Sequence, residues 1–346
     1  MTFFKVLINF TIFLALVVIA LGAYTRLTDA GLGCPDWPGC YGKLIAPLHD
    51  DHIAQAQQKF PEATIEPHKA HNEMMHRYVA GLLGFCVLAI TLLCFKLKRH
   101  RLLGTVLLAL VVFQAALGMW TVTLSLLPLI VLAHLFGGFA VFALLALLRA
   151  DVSLREQPLQ KEPELAKFLP LGYLALAVLL MQIALGGWTS SNYAATVCYQ
   201  LPFCESGWQE RFSLTAALHM PSGHETYEFG VLPYEGRMSI HVMHRIGAIV
   251  TLSVLGIFIY FSWHFSKEKM IRNFALAIGF VLLLQFTLGI INVVAQLPLL
   301  NAVAHNVVAA NLLMLMVVFL RHIYLRRPVL TSTAAVATVK KSIVTD

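Results

Sequence analysis

The sequence predicts an all-α integral membrane protein whose eight transmembrane helices form two pseudo-symmetric four-helix bundles. Three observations carry this prediction. Apolar residues make up 58% of the 346-residue chain and charged residues only 12%, against roughly 25% charged in a soluble domain, and the mean hydropathy is +0.75. Eight apolar stretches reach the ~20 residues that a spanning helix needs. The order of rare residues in the first half is repeated in the second.

Lipid offers no partner for an open peptide group, so each spanning stretch must be helical. The first, 6–23, resembles a signal peptide. Its apolar run is long, however, and passes into Thr25-Arg26-Leu27-Thr28 without a convincing cleavage site, so it reads as a retained anchor. A long loop, 24–71, separates it from the second stretch, 72–95. Lys96, Lys98, Arg99 and Arg101 mark the turn before 102–121, and Pro128 marks the one before 129–148. A charged linker, 151–167, leads to 168–188, to a second long loop at 189–239, and to the last three stretches, 240–263, 274–294 and 302–320. The division is therefore an N-terminal half over 1–150, a C-terminal half over 168–328 and a cytoplasmic tail over 329–346.

Lys and Arg set the orientation. With both ends inside, the inner segments carry Lys5, the cluster Lys96 to Arg101, then Arg149, Arg155, Lys161 and Lys167, then Lys267, Lys269 and Arg272, and finally Arg321, Arg326, Arg327, Lys340 and Lys341. That is 17 of the 25 basic residues, although the outer loops are longer. The positive-inside rule then places both termini in the cytoplasm and the two long loops outside the inner membrane. This bias accounts for the net charge of +7, so the partner it implies is the bilayer and no nucleic acid.

The repeat can be followed by offset. Cys34 and Cys40 recur as Cys198 and Cys204 at a shift of 164; His76-Arg77 recurs as His244-Arg245 at 168; Gln114, Leu117-Gly118 and His134 recur as Gln285, Leu288-Gly289 and His305 at 171. A period of this size indicates a duplicated bundle, whereas short solenoid repeats run to roughly 20 to 50 residues. Each outer loop carries one Cys-x5-Cys pair, Cys34 with Cys40 and Cys198 with Cys204, around turn-forming residues. An oxidising exterior favours a disulfide in each; free thiols are the alternative, and no second pair lies nearby to complete a zinc site. Cys86 and Cys94 fall within a helix and read as packing residues.

A histidine inside a membrane helix is costly, which makes it a functional-site candidate. His76 and His134 in one half, matched by His244 and His305 in the other, sit toward the outer ends of the second and fourth helices of each half. Two such histidines on different helices suit the axial positions of a heme iron held between the helices of a bundle. A polar helix contact is the bland reading of any one of them; the duplication argues for ligation. Arg77 and Arg245 stand next to these ligands and either pair with propionates or act as interfacial anchors. His71 points away from His76, and His219 and His224 read as surface residues.

The halves differ at one position with chemical meaning. Glu73 lies three residues before His76 on the same helical face, and its counterpart is His241. A carboxylate beside one iron site only suggests that the first half does chemistry and the second stores or relays electrons; a helix-start carboxylate favoured by the macrodipole is the alternative.

Gly22-Ala-Tyr-Thr25-Arg26-Leu27-Thr28, then Gly31-Leu-Gly-Cys34-Pro-Asp36-Trp37-Pro38-Gly-Cys40, Glu73-x-x-His76-Arg77, His134, His244-Arg245 and His305 together resemble the heme A synthase family. The resemblance covers nearly the whole chain up to about residue 328. It implies oxidation of the C8 methyl of heme O to the formyl group of heme A, for cytochrome oxidase assembly. It further implies a substrate iron between His76 and His134, a heme b cofactor on His244 and His305, Glu73 as the catalytic carboxylate, and a heme O synthase as partner. The electron acceptor is not identified, homo-oligomerisation is left open, and the second outer loop has no matched features. A diheme b-type electron carrier and a heme transporter are the competing classes, since both also need paired intramembrane histidines.

Overall fold

The computed structural model describes residues 2–154 and 159–328; the tail 329–346 and positions 155–158 of the predicted linker, including Arg155, lie outside the described residues. Among these, the helices in order are α1 (Thr2–Leu27), α2 (Asp50–Lys59), α3 (Pro67–Lys96), α4 (Arg101–Thr123), α5 (Pro128–Leu154), α6 (Pro163–Ala166), α7 (Leu169–Ser191), α8 (Trp208–Arg211), α9 (Leu214–Ala217), α10 (Tyr234–Phe265), α11 (Lys269–Val294) and α12 (Leu299–Leu325). Eight of them, α1, α3, α4, α5, α7, α10, α11 and α12, are long and apolar enough to cross a membrane, and each covers one of the eight predicted stretches, α7 starting one residue later, at Leu169. Every one of them runs past its predicted stretch at one end or both, by least in α4 and α7. Polar first turns such as Pro67-His-Lys-Ala-His-Asn continue the same hydrogen-bond ladder, and a proline at the first helical position suits a helix start.

Packing joins α1, α3, α4 and α5 into a closed ring in which each touches the next, and joins α7, α10, α11 and α12 into another. This is consistent with the expected pair of bundles. In each ring the two histidine-bearing helices, α3 with α5 and α10 with α12, occupy opposite corners. The rings meet through α5 and α1 against α12 and through α5 against α7. The turn before α5 and the turn before α12 share a geometry, with two consecutive left-handed residues in each: Ser125 and Leu126, Gln296 and Leu297.

The main apolar core fills the ends of the bundles away from the long loops. Its members run from Leu83 to Cys94 in α3 and from Phe139 to Val152 in α5, and Phe258 and Phe319 meet edge to face across α10 and α12. At that same end Arg321 of α12 pairs with Asp151 of α5 at 2.7 Å, tying the halves together. Buried Glu162 accepts from the backbone N–H groups of Lys267 and Glu268 at the start of α11, and so anchors the linker. The loop-bearing ends hold the histidines, with glycine and glutamine rather than large apolar side chains beside them.

Candidate functional site

His76 on α3 and His134 on α5 face each other across the first ring, with ring centroids 6.4 Å apart and planes at 80°. A metal–imidazole bond of about 2.0 Å, plus about 1.1 Å from that nitrogen to the ring centre, separates the centroids of two axial ligands by about 6.2 Å. The observed spacing fits one metal ion held between the two rings. Glycine on a neighbouring helix makes the space for every ring. A methyl group on Gly22 would lie 2.9 Å from His76 Cε1, one on Gly118 3.4 Å from His134 Cε1, one on Gly186 3.0 Å from His244 Cε1, and one on Gly289 3.2 Å from His305 Cε1.

In the second ring His244 and His305 stand on the matching helices α10 and α12, each beside a glutamine amide. Gln182 Nε2 lies 3.0 Å from His244 Nδ1 and also donates to the His244 carbonyl at 3.0 Å. Gln285 Nε2 lies 3.2 Å from His305 Nε2. Among the described residues the Nδ1 atoms of His76, His134 and His305 are buried and meet no hydrogen-bond partner of ordinary geometry. Buried polar atoms are ordinarily satisfied, so unpartnered imidazole nitrogens on opposed helices fit residues that complete their coordination on an iron. The donor set, two imidazoles per bundle, fits a bis-histidine heme.

The long loops are joined to these sites by disulfides and by two arginines. Cys34 is bonded to Cys40 and Cys198 to Cys204, each across a separation of six residues. Arg77 Nη1 donates to the carbonyls of Asp36 at 3.0 Å, Pro38 and Gly39. Arg245 donates to the carbonyls of Cys198 at 2.7 Å, Gln200 at 2.6 Å and Phe203. The structure sets both guanidiniums on the disulfide loops, a contact that neither sequence reading, propionate partner or interfacial anchor, included. A Cys-x5-Cys turn leaves its carbonyls without helix or strand partners, and a guanidinium carries five donors in a fixed fork that can gather them.

Glu73 is buried, and both its oxygens are engaged. Oε2 accepts from the Cys34 backbone N–H at 2.8 Å, and Oε1 accepts from Arg77 Nη2. The carboxylate is therefore oriented by the disulfide loop as well as by its own helix. Its counterpart His241 is also buried, with Nδ1 unpartnered, so it does not face the outer surface. His71, His219 and His224 are exposed. Glu205 joins Cys198 and Cys204 in a small cluster, but the cysteines are bonded to each other, which removes their thiolates from metal ligation.

Sequence reasoning did not find the glycine seats at Gly22 and Gly186, although their separation is the same 164 residues as between the cysteine pairs. It also left the second outer loop without a role. That loop is stitched down: Trp188 Nε1 donates to the Ala217 carbonyl at 2.9 Å, the Ser213 N–H donates to Ser239 Oγ at 2.9 Å, and the Tyr227 N–H donates to the Ser125 carbonyl at 3.0 Å. The last of these crosses to the turn between α4 and α5, so the second loop covers part of the first half. Arg26, at the end of α1, makes a matching crossing to the Ser190 carbonyl at 2.6 Å and lies 3.8 Å over the Tyr193 ring.

Comparison with known proteins gives a consistent picture. Residues 5–317 match the model of the COX15-CtaA family, described as cytochrome oxidase assembly protein. A heme A synthase of Shewanella oneidensis is 46% identical over 316 residues, 90% of this chain and 94% of the relative. The heme A synthases of Bacillus pumilus and Flavobacterium psychrophilum are each 23% identical, covering 86% and 87% of this chain and 87% and 92% of their own length.

Proposed function

Because the chain belongs to the COX15-CtaA family of cytochrome oxidase assembly proteins, we propose that it is a heme A synthase, a membrane oxidoreductase that converts the C8 methyl of heme O to the formyl group of heme A. The observation that carries this reading is the duplicated histidine arrangement: paired histidines on diagonal helices in both bundles, ring against ring in the first, each with a glycine beside it, and a buried carboxylate beside one pair only. In this reading the half at 1–150 takes heme O between His76 and His134, the linker at 151–167 joins the halves, and the half at 168–328 keeps heme b on His244 and His305. Bound there, heme b supplies a one-electron redox centre. The protein lies in the inner membrane with both termini cytoplasmic and the heme sites toward the outer face, and it receives substrate from a heme O synthase.

The residues of the first half then have separable tasks. His76 and His134 fix the porphyrin of the substrate, and Gly22 and Gly118 let the imidazoles stand close to the helix backbones. Glu73, aimed by Cys34 and Arg77, stabilises positive charge developing at the methyl carbon and takes the proton released as water adds. Each of two rounds takes up one water and releases two protons and two electrons, the electrons leaving one at a time to an external redox acceptor; the first round gives the alcohol and the second the hydrated aldehyde, which loses water to the formyl group. Arg77 and Arg245 hold the disulfide loops over the two sites.

Pigment extraction from purified protein tests the reading. Heme B accompanied by heme O and heme A is expected. His76→Ala should lose the substrate hemes and keep heme B, and His244→Ala should do the reverse. Heme B alone, in equal amounts at both sites, would make the protein a diheme carrier; heme O bound and released unchanged would make it a transporter.

A further inference from the structure

The first outer loop carries a cavity separate from the histidine pairs. It measures about 150 Å³ and is lined by Tyr41, Lys43, Ile45, His52, Gln55 and Lys59. Sites that enclose a whole drug-sized ligand run to roughly 300–1,000 Å³, so this one takes a small group. One side of it is the disulfide hairpin, where Cys40 and Lys43 exchange backbone hydrogen bonds at 2.7 and 3.1 Å. Gly42, at φ +73°, lets the Lys59 ammonium close on that turn, because a methyl group there would overlap Nζ. Lys43 Nζ donates to Gln55 Oε1 at 2.6 Å. The neighbouring carboxylates are engaged elsewhere: Asp36 accepts from the N–H groups of Tyr41 at 2.6 Å and Gly42 at 2.8 Å, and Asp51 lies 3.8 Å from His52. Among the described residues neither Lys43 nor Lys59 forms an ion pair with a carboxylate. The second half has no such cavity lysines, since at the shift of 164 they meet Gly207 and Gly223.

The segment that carries Lys43 also meets the lipid. Leu44, Ile45 and Leu48 are 75%, 52% and 49% exposed, an apolar patch beside a basic cavity. Tyr78 of α3 is exposed and donates its hydroxyl to the Leu44 carbonyl. A tyrosine on the open face near the end of a spanning helix marks the membrane interface, so this bond sets the depth of the segment. Two residues separate Tyr78 from His76, about 200° around α3, which puts Leu44 on the lipid side of the helix, away from the histidine pair. We propose that the cavity seats the phosphate of one anionic phospholipid, with Lys43 and Lys59 on its oxygens and Leu44, Ile45 and Leu48 among its acyl chains. Lysine binds phosphate as a point charge, and basic side chains at the membrane surface attract anionic headgroups. A soluble anion would use the same ammoniums but leave the three apolar side chains in water. The hairpin that bears the seat also holds Glu73 through the Cys34 N–H, so the lipid ties the cover of the first site to the membrane. The seat is independent of the heme assignments.

Native mass spectrometry of the full-length protein in detergent, titrated with phosphatidylglycerol, tests the seat. One lipid should bind ahead of the rest, and phosphatidylcholine should bind more weakly. Lys59→Gln should weaken that first lipid by about fivefold, and Lys43→Gln with Lys59→Gln by about 25-fold; both lysines lie in the loop rather than in the apolar core, so these variants should fold. Arg211→Gln removes one exposed charge from the other long loop and should leave the first lipid unchanged. Leu44→Ser with Ile45→Ser should weaken the lipid while both lysines remain. Equal affinity in the double lysine variant and the parent, or an equal loss in Arg211→Gln, would overturn the proposal. Tight retention of inorganic phosphate, undiminished by the two serine substitutions, would also overturn it by making the cavity a site for a soluble anion. A dimer that the lysine variants dissociate, with the lipid count unchanged, would overturn it by making the patch a contact between copies of the chain.

Discussion

Two donors of different kinds hold Glu73, and they decide what its replacement should do. The Cys34 N–H needs only an acceptor, which a glutamine carbonyl supplies as well as a carboxylate does. Arg77 keeps the carbonyls of Asp36, Pro38 and Gly39 whether or not Glu73 is charged. Glu73→Gln should therefore fold and retain heme b. Heme A formation should nevertheless fall by about a hundredfold, the lower range for losing a general acid or base, with heme O or the intermediate alcohol accumulating in extracted membranes. Near-normal heme A output would confine Glu73 to holding the loop. The histidines were legible in the sequence because a membrane helix rarely carries one. Gln182 was not, because a search for repeated residues passes over a position where the repeat fails.

At the scale of elements, the membrane helices were visible as apolar runs, while the loops depended on contacts that no spacing encodes. The disulfides could be read from Cys-x5-Cys and the expected compartment, but the targets of Arg77 and Arg245 could not. A guanidinium beside an intramembrane histidine has the same sequence signature whether it meets a propionate or a ring of carbonyls. The structure makes Arg245 the clamp of the second loop, partly buried beneath the carbonyls of Cys198, Gln200 and Phe203. Arg245→Met keeps the apolar stem and removes the donors. Leaving buried carbonyls unpaired costs about 1–3 kcal/mol each, so the variant should unfold at lower temperature and its loop at 197–232 should be cut by protease under conditions that spare the parent protein. A proteolysis pattern identical to the parent would show that the disulfide and Trp188 hold the loop without the arginine.

For the whole molecule, the two rings set their histidines, their disulfide loops and the crossings from Arg26 and Tyr227 at one end, and the main apolar core at the other. This polarity was only partly visible in the sequence: the helix order puts the histidines at the loop-bearing ends, but the contact of α5 with α7 and of α1 with α12 depends on side-chain packing that repeat offsets do not describe. Sidedness in the membrane follows from two independent physical constraints. The excess of Lys and Arg lies on the segments at the end without the long loops, and disulfides persist only where the compartment oxidises. Both support the proposed placement of the loop-bearing end outside. Single cysteines at Glu62 and at Lys98, both exposed and on opposite ends, test this in a background where Cys86 and Cys94 are alanine. A membrane-impermeant maleimide should label Glu62→Cys once the outer membrane is opened and Lys98→Cys only after the inner membrane is broken. The opposite order would invert the topology, put the disulfide loops in a reducing compartment and require heme O to reach the histidines from the other face.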